Sequence, residues 1–146
     1  MKYNTATPYC ASYVLLKRDG KCVFVKRANT DWRNGYYGLP AGKVEKNESF
    51  LAAAVREVKE EVGVTVKQTD LVQVLTNHRK EEGTEWVDVV FAAKSYEGEP
   101  FNAEPNVHSE IAWFALEDLP ENTIPSLRYM LEQIVAGSRY SEYGWE

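Results

Sequence analysis

The sequence predicts an α/β domain in which a mixed β-sheet is flanked by helices. Three observations carry that reading. The 146-residue length suits one domain, residues 1–146, with an ordinary core. Two stretches carry apolar residues at helical spacing, while several others alternate as strands do. Strands and helices are interspersed without strict alternation, which favours a mixed sheet over a doubly wound parallel one.

The elements follow in order. "YVLLKRDGKCVFVKR" reads as a hairpin turning at Asp19-Gly20, with Lys17 opposite Cys22. Cys10 lies several residues further along its strand, and at about 3.3 Å per residue the two thiols are too far apart to bond. Both cysteines read as reduced packing residues. "ANTDWRNGYYGLPAG" is rich in turn formers and aromatic residues, as binding loops are. Trp32, Tyr36 and Tyr37 there are candidates for stacking a base, or equally loop anchors.

A helix follows, with Ser49 able to cap its start and Gly63 to end it. "LVQVLTNH" and "EWVDVVFAAKSY" read as strands joined around Gly83, and "EGEPFNAEPNVHSE" as a long polar loop. "IAWFAL" is a short strand. In "SLRYMLEQIVAG", Leu127, Met130, Leu131 and Ile134 have helical spacing and Gly137 supplies the stop. The aromatic tail "SRYSEYGWE" is expected to pack on the domain or on a partner subunit, which leaves a homodimer open.

Composition narrows the function. Hydrophobic residues are 44% and charged residues 27% of the chain, as in an ordinary globular protein. No apolar run approaches the roughly 18 residues of a membrane span. The first residues lack the apolar core of a secretory signal, so a cytoplasmic protein is expected. The net charge of -5 and the absence of a basic run argue against nonspecific nucleic-acid binding. An acidic protein that handles a phosphate ester needs cations from elsewhere.

The helix after the glycine loop raises that question sharply. At roughly 100° per residue, Leu51, Val55, Val58 and Val62 form one core stripe. Glu57, Glu60 and Glu61 fall together on the other side, with Ala53 and Ala54 leaving that side uncrowded one turn earlier. Such a cluster is either a solvated face, supported by the Arg56–Glu60 spacing, or a cation site. The wider pattern tips the balance. Gly42, Glu48, Arg56, Glu57, Glu60, Glu61 and Gly63 recur at fixed spacing, and seven identities at roughly 5–7% each match by chance on the order of once in a billion positions.

"GKVEKNESFLAAAVREVKEEVGV" resembles the Nudix box at every fixed position, and weaker resemblance extends through "VFVKRA", "YYGLPAG" and "WFALEDLPENTIP". The resemblance implies the Nudix fold, an α/β/α sandwich on a mixed central sheet. It implies a hydrolase acting on a nucleoside diphosphate linked to another group, using Mg²⁺ or Mn²⁺. Carried over residue by residue, it makes Glu57, Glu60, Glu61 and the Gly42 carbonyl metal ligands. It makes Arg56 and Glu48 the pair that holds them, and Arg27 a phosphate-binding residue. Glu57 is one candidate general base. A further carboxylate from a later loop is expected from Glu99, Glu104 or Glu110, with Glu104 favoured as base or ligand. His78 and His108 lack a partner at metal-ligand spacing.

Subfamily signals lie outside the box. The proline about 15 residues beyond it that marks ADP-ribose hydrolases is absent, since that place is held by Arg79. The tyrosine of diadenosine polyphosphate enzymes is absent there too, as is the extended motif of coenzyme A pyrophosphatases upstream. A MutT-like (deoxy)nucleoside triphosphate pyrophosphohydrolase remains as the expectation. The alternatives are an ADP-ribose or nucleotide-sugar pyrophosphatase and a silent nucleotide-sensing module. Pro125, Ser126 and Leu127 stand where readers of oxidised purines carry acids, which leaves the base open.

Overall fold

The computed structural model describes residues 3–146. Period-two alternation in the strands divides the apolar residues between two cores. In β1 (Tyr9–Leu15) Val14 faces one core and Leu15 the other. β3 (Lys21–Arg27) sends Val23 and Val25 one way, Cys22 and Phe24 the other. In β7 (Thr84–Ala93) Val89 and Phe91 oppose Val90. One core lies under α1 (Phe50–Val62), the other under α2 (Pro125–Val135). Strands buried on both faces and a helix over each core make the α/β/α sandwich.

Five strands form the main sheet in the order β5-β1-β7-β6-β9, where β5 is Ala41–Lys43, β6 is Leu71–Glu81 and β9 is Tyr140–Tyr143. β1 pairs β7 and β6 pairs β9 in parallel, while β1–β5 and β6–β7 are antiparallel, so the sheet is mixed. A second sheet gathers β2 (Lys17–Arg18), β4 (Tyr37–Gly38) and β8 (His108–Phe114) around β3. Lys17 pairs Cys22 as the hairpin pattern predicts. Both cysteines are free, and burial pushes the Cys22 thiol up to about 11.

The caps of α1 are as the sequence predicts. Ser49 Oγ accepts the Ala52 N–H at 3.0 Å, and Gly63 takes φ 70°. The acidic side, however, is not an open face. Ala53 and Ala54 are fully buried beside Val58 and Val62, while Leu51 and Val55 are only half-buried. Side chains of one methyl let α1 lie close against β1 and β5, and buried Ser12 ties the contact by donating to Phe50 O at 2.7 Å. That close seating carries the glutamates inward.

The β6–β7 hairpin is longer than the apolar alternation suggests, because polar residues 79–81 continue the ladder to a turn at Glu82-Gly83. His78 therefore lies inside the strand rather than at its end, with its ring 4.5 Å from that of Trp145. The aromatic tail packs on its own domain: β9 adds to β6, and Trp145 Nε1 donates to His78 O at 2.9 Å. Among the described residues, no helix is long and apolar enough to cross a membrane.

Candidate active site

The site begins where β5, at the edge of the main sheet, meets α1. Gly42 pairs Ser12, so its missing side chain would point toward the helix. The Glu57 carboxylate fills that space, and a Cβ on Gly42 would collide with it. One turn later Glu61 is 6% exposed, and its Oε2 accepts the Ala41 N–H at 3.3 Å. Burial raises the Glu61 pKa well above the usual carboxylate range, and a hydrogen bond with Glu57 and the charges of Glu57 and Glu104 add to it. Burial beside two other carboxylates thus disfavours the charged form of Glu61 when no cation is bound.

Arg56 organises the same end. Its Nε and Nη2 donate to Glu48 at 2.8 and 2.9 Å, its Nη1 to Glu57 at 2.7 Å, and Nη2 also to Lys43 O at 3.1 Å. The fork to Arg56, together with the Glu45 backbone, holds the Glu48 carboxyl down at about 2. Burial opposes charge on Arg56, but the carboxylates around it outweigh this and raise its pKa. Glu60 differs from its two neighbours. Its side chain is half-exposed at the rim, and its contact with Arg56 is 3.4 Å.

Of the three loop carboxylates, the structure brings only Glu104 to α1. Glu99 pairs Arg18 at the surface, and Glu110 accepts the Tyr37 hydroxyl at 2.9 Å. Burial, then the charges of Glu57 and Glu60, raise the Glu104 pKa. Its loop is tied down on both sides. Ala103 N–H donates to Glu61 O and Phe101 N–H to Val62 O, each at 3.1 Å, and Asn102 Nδ2 donates to His108 O at 2.9 Å. Phe101 also lies over Gly63, where a side chain would collide with its ring.

His108 is the site residue that sequence reasoning left without a partner. Its Nε2 lies 3.9 Å from Glu61 Oε1, and its buried Nδ1 has no partner among the described residues. Burial and then nearby Arg27 lower its pKa, which favours the neutral imidazole. No sequence spacing links His108 to Glu61, because the contact is made by β8 lying on β3.

A cleft of about 710 Å³ opens from these carboxylates across the main sheet. Arg27 lines it and holds the loop above, with Nε donating to Trp32 O at 2.9 Å and Nη2 to Thr30 Oγ1 at 3.2 Å. Trp32 faces the cleft, its Nε1 donating to Glu82 at 3.0 Å. Tyr36 and Tyr37, expected as stacking candidates, do not line it. Tyr37 is buried in the α2-side core with its hydroxyl on Glu110, and Tyr36 packs against that core, with Arg33 over its ring. The aromatic surface comes instead from Tyr9 and Trp86, whose ring centres are 5.1 Å apart, with Lys43 Nζ 4.5 Å from the Tyr9 ring. The signal for these was the alternation in "TEWVDVV", which places Trp86 and Asp88 on one face.

The sequence matches the NUDIX domain family over residues 7–134. The chain belongs to the Nudix family. A MutT Nudix hydrolase from Burkholderia pseudomallei superposes with a TM-score of 0.78 at 32% identity, covering 87% of this chain and 98% of that one. Human 8-oxo-dGDP phosphatase NUDT18 is 32% identical over 77% of this chain but only 33% of its own length. The ADP-ribose pyrophosphatase of Methanocaldococcus jannaschii is 30% identical over 73% of this chain and 62% of its own. The chain thus spans a third to under two thirds of these two relatives.

Nudix hydrolases act on nucleoside diphosphates linked to another group and generally use divalent cations. The donors gathered here suit such an ion. Carboxylate and carbonyl oxygens are hard ligands, and Glu61, buried beside Glu57, stands where positive charge would be favourable. Among the described residues, no three acidic, histidine or cysteine side chains already enclose an ion-sized space.

Proposed function

We propose that residues 1–146 form a single Nudix hydrolase domain that cleaves (deoxy)nucleoside triphosphates to a nucleoside monophosphate and pyrophosphate, using Mg²⁺ or Mn²⁺. The observation that carries this reading is Glu57 seated against Gly42 beside buried Glu61, which lines a cleft with Arg27 and Glu104. Glu57, Glu60, Glu61 and the Gly42 carbonyl would hold the cation. When bound, it would polarise the phosphorus–oxygen bonds and stabilise developing negative charge. Arg56, fixed by Glu48, keeps Glu57 in place. Arg27 binds phosphate oxygens. The attacking water forms a bond to phosphorus, the anhydride P–O bond breaks, and the water proton passes to Glu104. The raised pKa of Glu104 suits a general base, and Glu57, as a ligand, is the poorer one.

The triphosphate reading is favoured over ADP-ribose by the region beyond the box. The place of the ADP-ribose proline is held by Arg79, which is buried inside the paired strand β6. The test is a panel of nucleoside triphosphates, nucleoside diphosphates, nucleotide sugars and ADP-ribose incubated with Mg²⁺, with products separated by chromatography. Pyrophosphate with a monophosphate is expected. Preferential release of AMP and ribose phosphate from ADP-ribose would replace the proposal with the pyrophosphatase reading. Binding without turnover would replace it with a sensing module.

A further inference from the structure

Beyond its carboxylate end, the cleft follows the face of the main sheet, and strand register fixes which side chains share that face. Lys43, Ala11, Asp88 and Asn77 form one row across β5, β1, β7 and β6. Tyr9, Trp86 and Arg79 form the next row outward. From β5 to β6 is three strand spacings, about 14 Å, the scale of a nucleoside with its first phosphates. Ala11 keeps the floor low between the two ends. A ligand with its phosphates at Gly42 would reach Trp86, toward β6, with its other end.

That far end is built to a definite pattern. Asp88 grips Arg79 with two hydrogen bonds, at 2.8 and 2.9 Å, and the guanidinium lies 4.5 Å from the Trp86 ring centre. Arg79 Nη1 donates to Glu81 Oε1 at 2.8 Å, which fixes the Glu81 carboxylate on a side chain only 15% exposed. Glu81 lines the cleft, and its Oε2 has no hydrogen-bond partner among the described residues. The start of α2 contributes Ser126 and Leu127 to the cleft but no acid. Glu82 is engaged by Trp32, and Asp31 is exposed.

Resting on the nucleotide reading above, we infer that Glu81 reads the base and selects guanine-type nucleotides. Trp86 and Tyr9 offer the stacking surface. A carboxylate held in place accepts two parallel N–H donors, and the guanine ring presents them side by side at N1 and the 2-amino group. Adenine and cytosine set one amino donor beside a ring-nitrogen lone pair, which the carboxylate repels. Thymine and uracil set one N–H between two carbonyls. The acid missing from the start of α2 is thus supplied from the opposite wall.

The test compares dGMP with dIMP, which lacks only the 2-amino group. Binding of each to wild type and Glu81→Gln is measured by isothermal titration calorimetry, beside kcat/KM for dGTP and dITP. Wild type should prefer the guanine member by about tenfold or more, and Glu81→Gln should bring the ratio close to one. A wild-type ratio near one needs no variant to overturn the assignment. An unchanged ratio in Glu81→Gln overturns it too, and leaves Glu81 as an ion-pair partner of Arg79 alone, as does binding of neither monophosphate. Calorimetry reads the base without cleavage, so absence of pyrophosphate release would sink the triphosphatase reading while the Glu81 assignment is still decided.

Discussion

Glu61 sits where charge is least welcome, buried against Ala41 and beside Glu57 and Glu104. Replacing its carboxyl by an amide should cost the fold nothing while no cation is present. Glu61→Gln is expected to leave metal-free stability unchanged or raise it by up to about 1 kcal/mol. Turnover should be largely lost, and added Mg²⁺ should raise the melting temperature of wild type more than that of the variant. Equal Mg²⁺ shifts would place the cation elsewhere. Glu48 shows the opposite sign. Its folded pKa of about 2 lies below the ordinary 4.5, so its contribution is complete above pH 4.5 and fades as pH falls toward 2. Melting temperatures between pH 7 and 3 should fall more steeply for wild type than for Glu48→Gln, and parallel curves would refute the linkage. The box residues were legible because their spacing is local to one helix. The roles of Tyr36 and Tyr37 were not, because Tyr37 turns into the core only through the pairing of β4 with β3, which composition does not encode.

At the scale of elements, α1 and the two loops beside it act together. Gly42 is required because the Glu57 carboxylate occupies the volume of a Cβ. Gly42→Ala should displace Glu57 and lower kcat/KM by about 10²-fold, with the helical circular-dichroism signal kept. Near-wild-type turnover would show that Glu57 needs no fixed seat. The loop carrying Glu104 is stapled to the end of α1 through Ala103 and Phe101, so the carboxylate is placed before substrate arrives. Glu104→Gln should lower kcat by about 10²-fold or more with the Mg²⁺ midpoint little changed. A strong shift of that midpoint would make Glu104 a ligand, and no effect on either would make it a solvated charge. Caps and apolar periods gave α1, α2 and the first hairpin from sequence. They missed that Ala53 and Ala54 are the tight contact, since a short side chain carries no periodic signal of its own. They also missed the outer end of β6, residues 79–81, where Arg79 and Glu81 face a cleft rather than a core.

The whole molecule supports the cleft through contacts that no local pattern reveals. Its floor rests on a buried polar chain crossing four strands. Ser141 Oγ donates to Asn77 Oδ1 at 2.7 Å, Asn77 Nδ2 to Asp88 Oδ2 at 3.2 Å, and Asp88 holds Arg79 and accepts from the Tyr13 hydroxyl. Asp88 is fully buried and Arg79 nearly so. Neither could be assigned from sequence, because Tyr13, Asn77, Asp88 and Ser141 meet only once β1, β6, β7 and β9 are in register. Breaking a buried ion pair from one side strands the other charge, at about 3–5 kcal/mol, whereas a lost neutral hydrogen bond costs about 1 kcal/mol. Asp88→Asn should therefore destabilise the fold by about 3 kcal/mol or more, and Ser141→Ala by about 1 kcal/mol, in urea denaturation. The midpoints should shift with the slope unchanged if the transition stays two-state. Glu81 still contacts Arg79 in Asp88→Asn, so a loss under about 1 kcal/mol would mean that Glu81 alone suffices to neutralise the guanidinium. The platform under Trp86 would then be held by packing, not by charge.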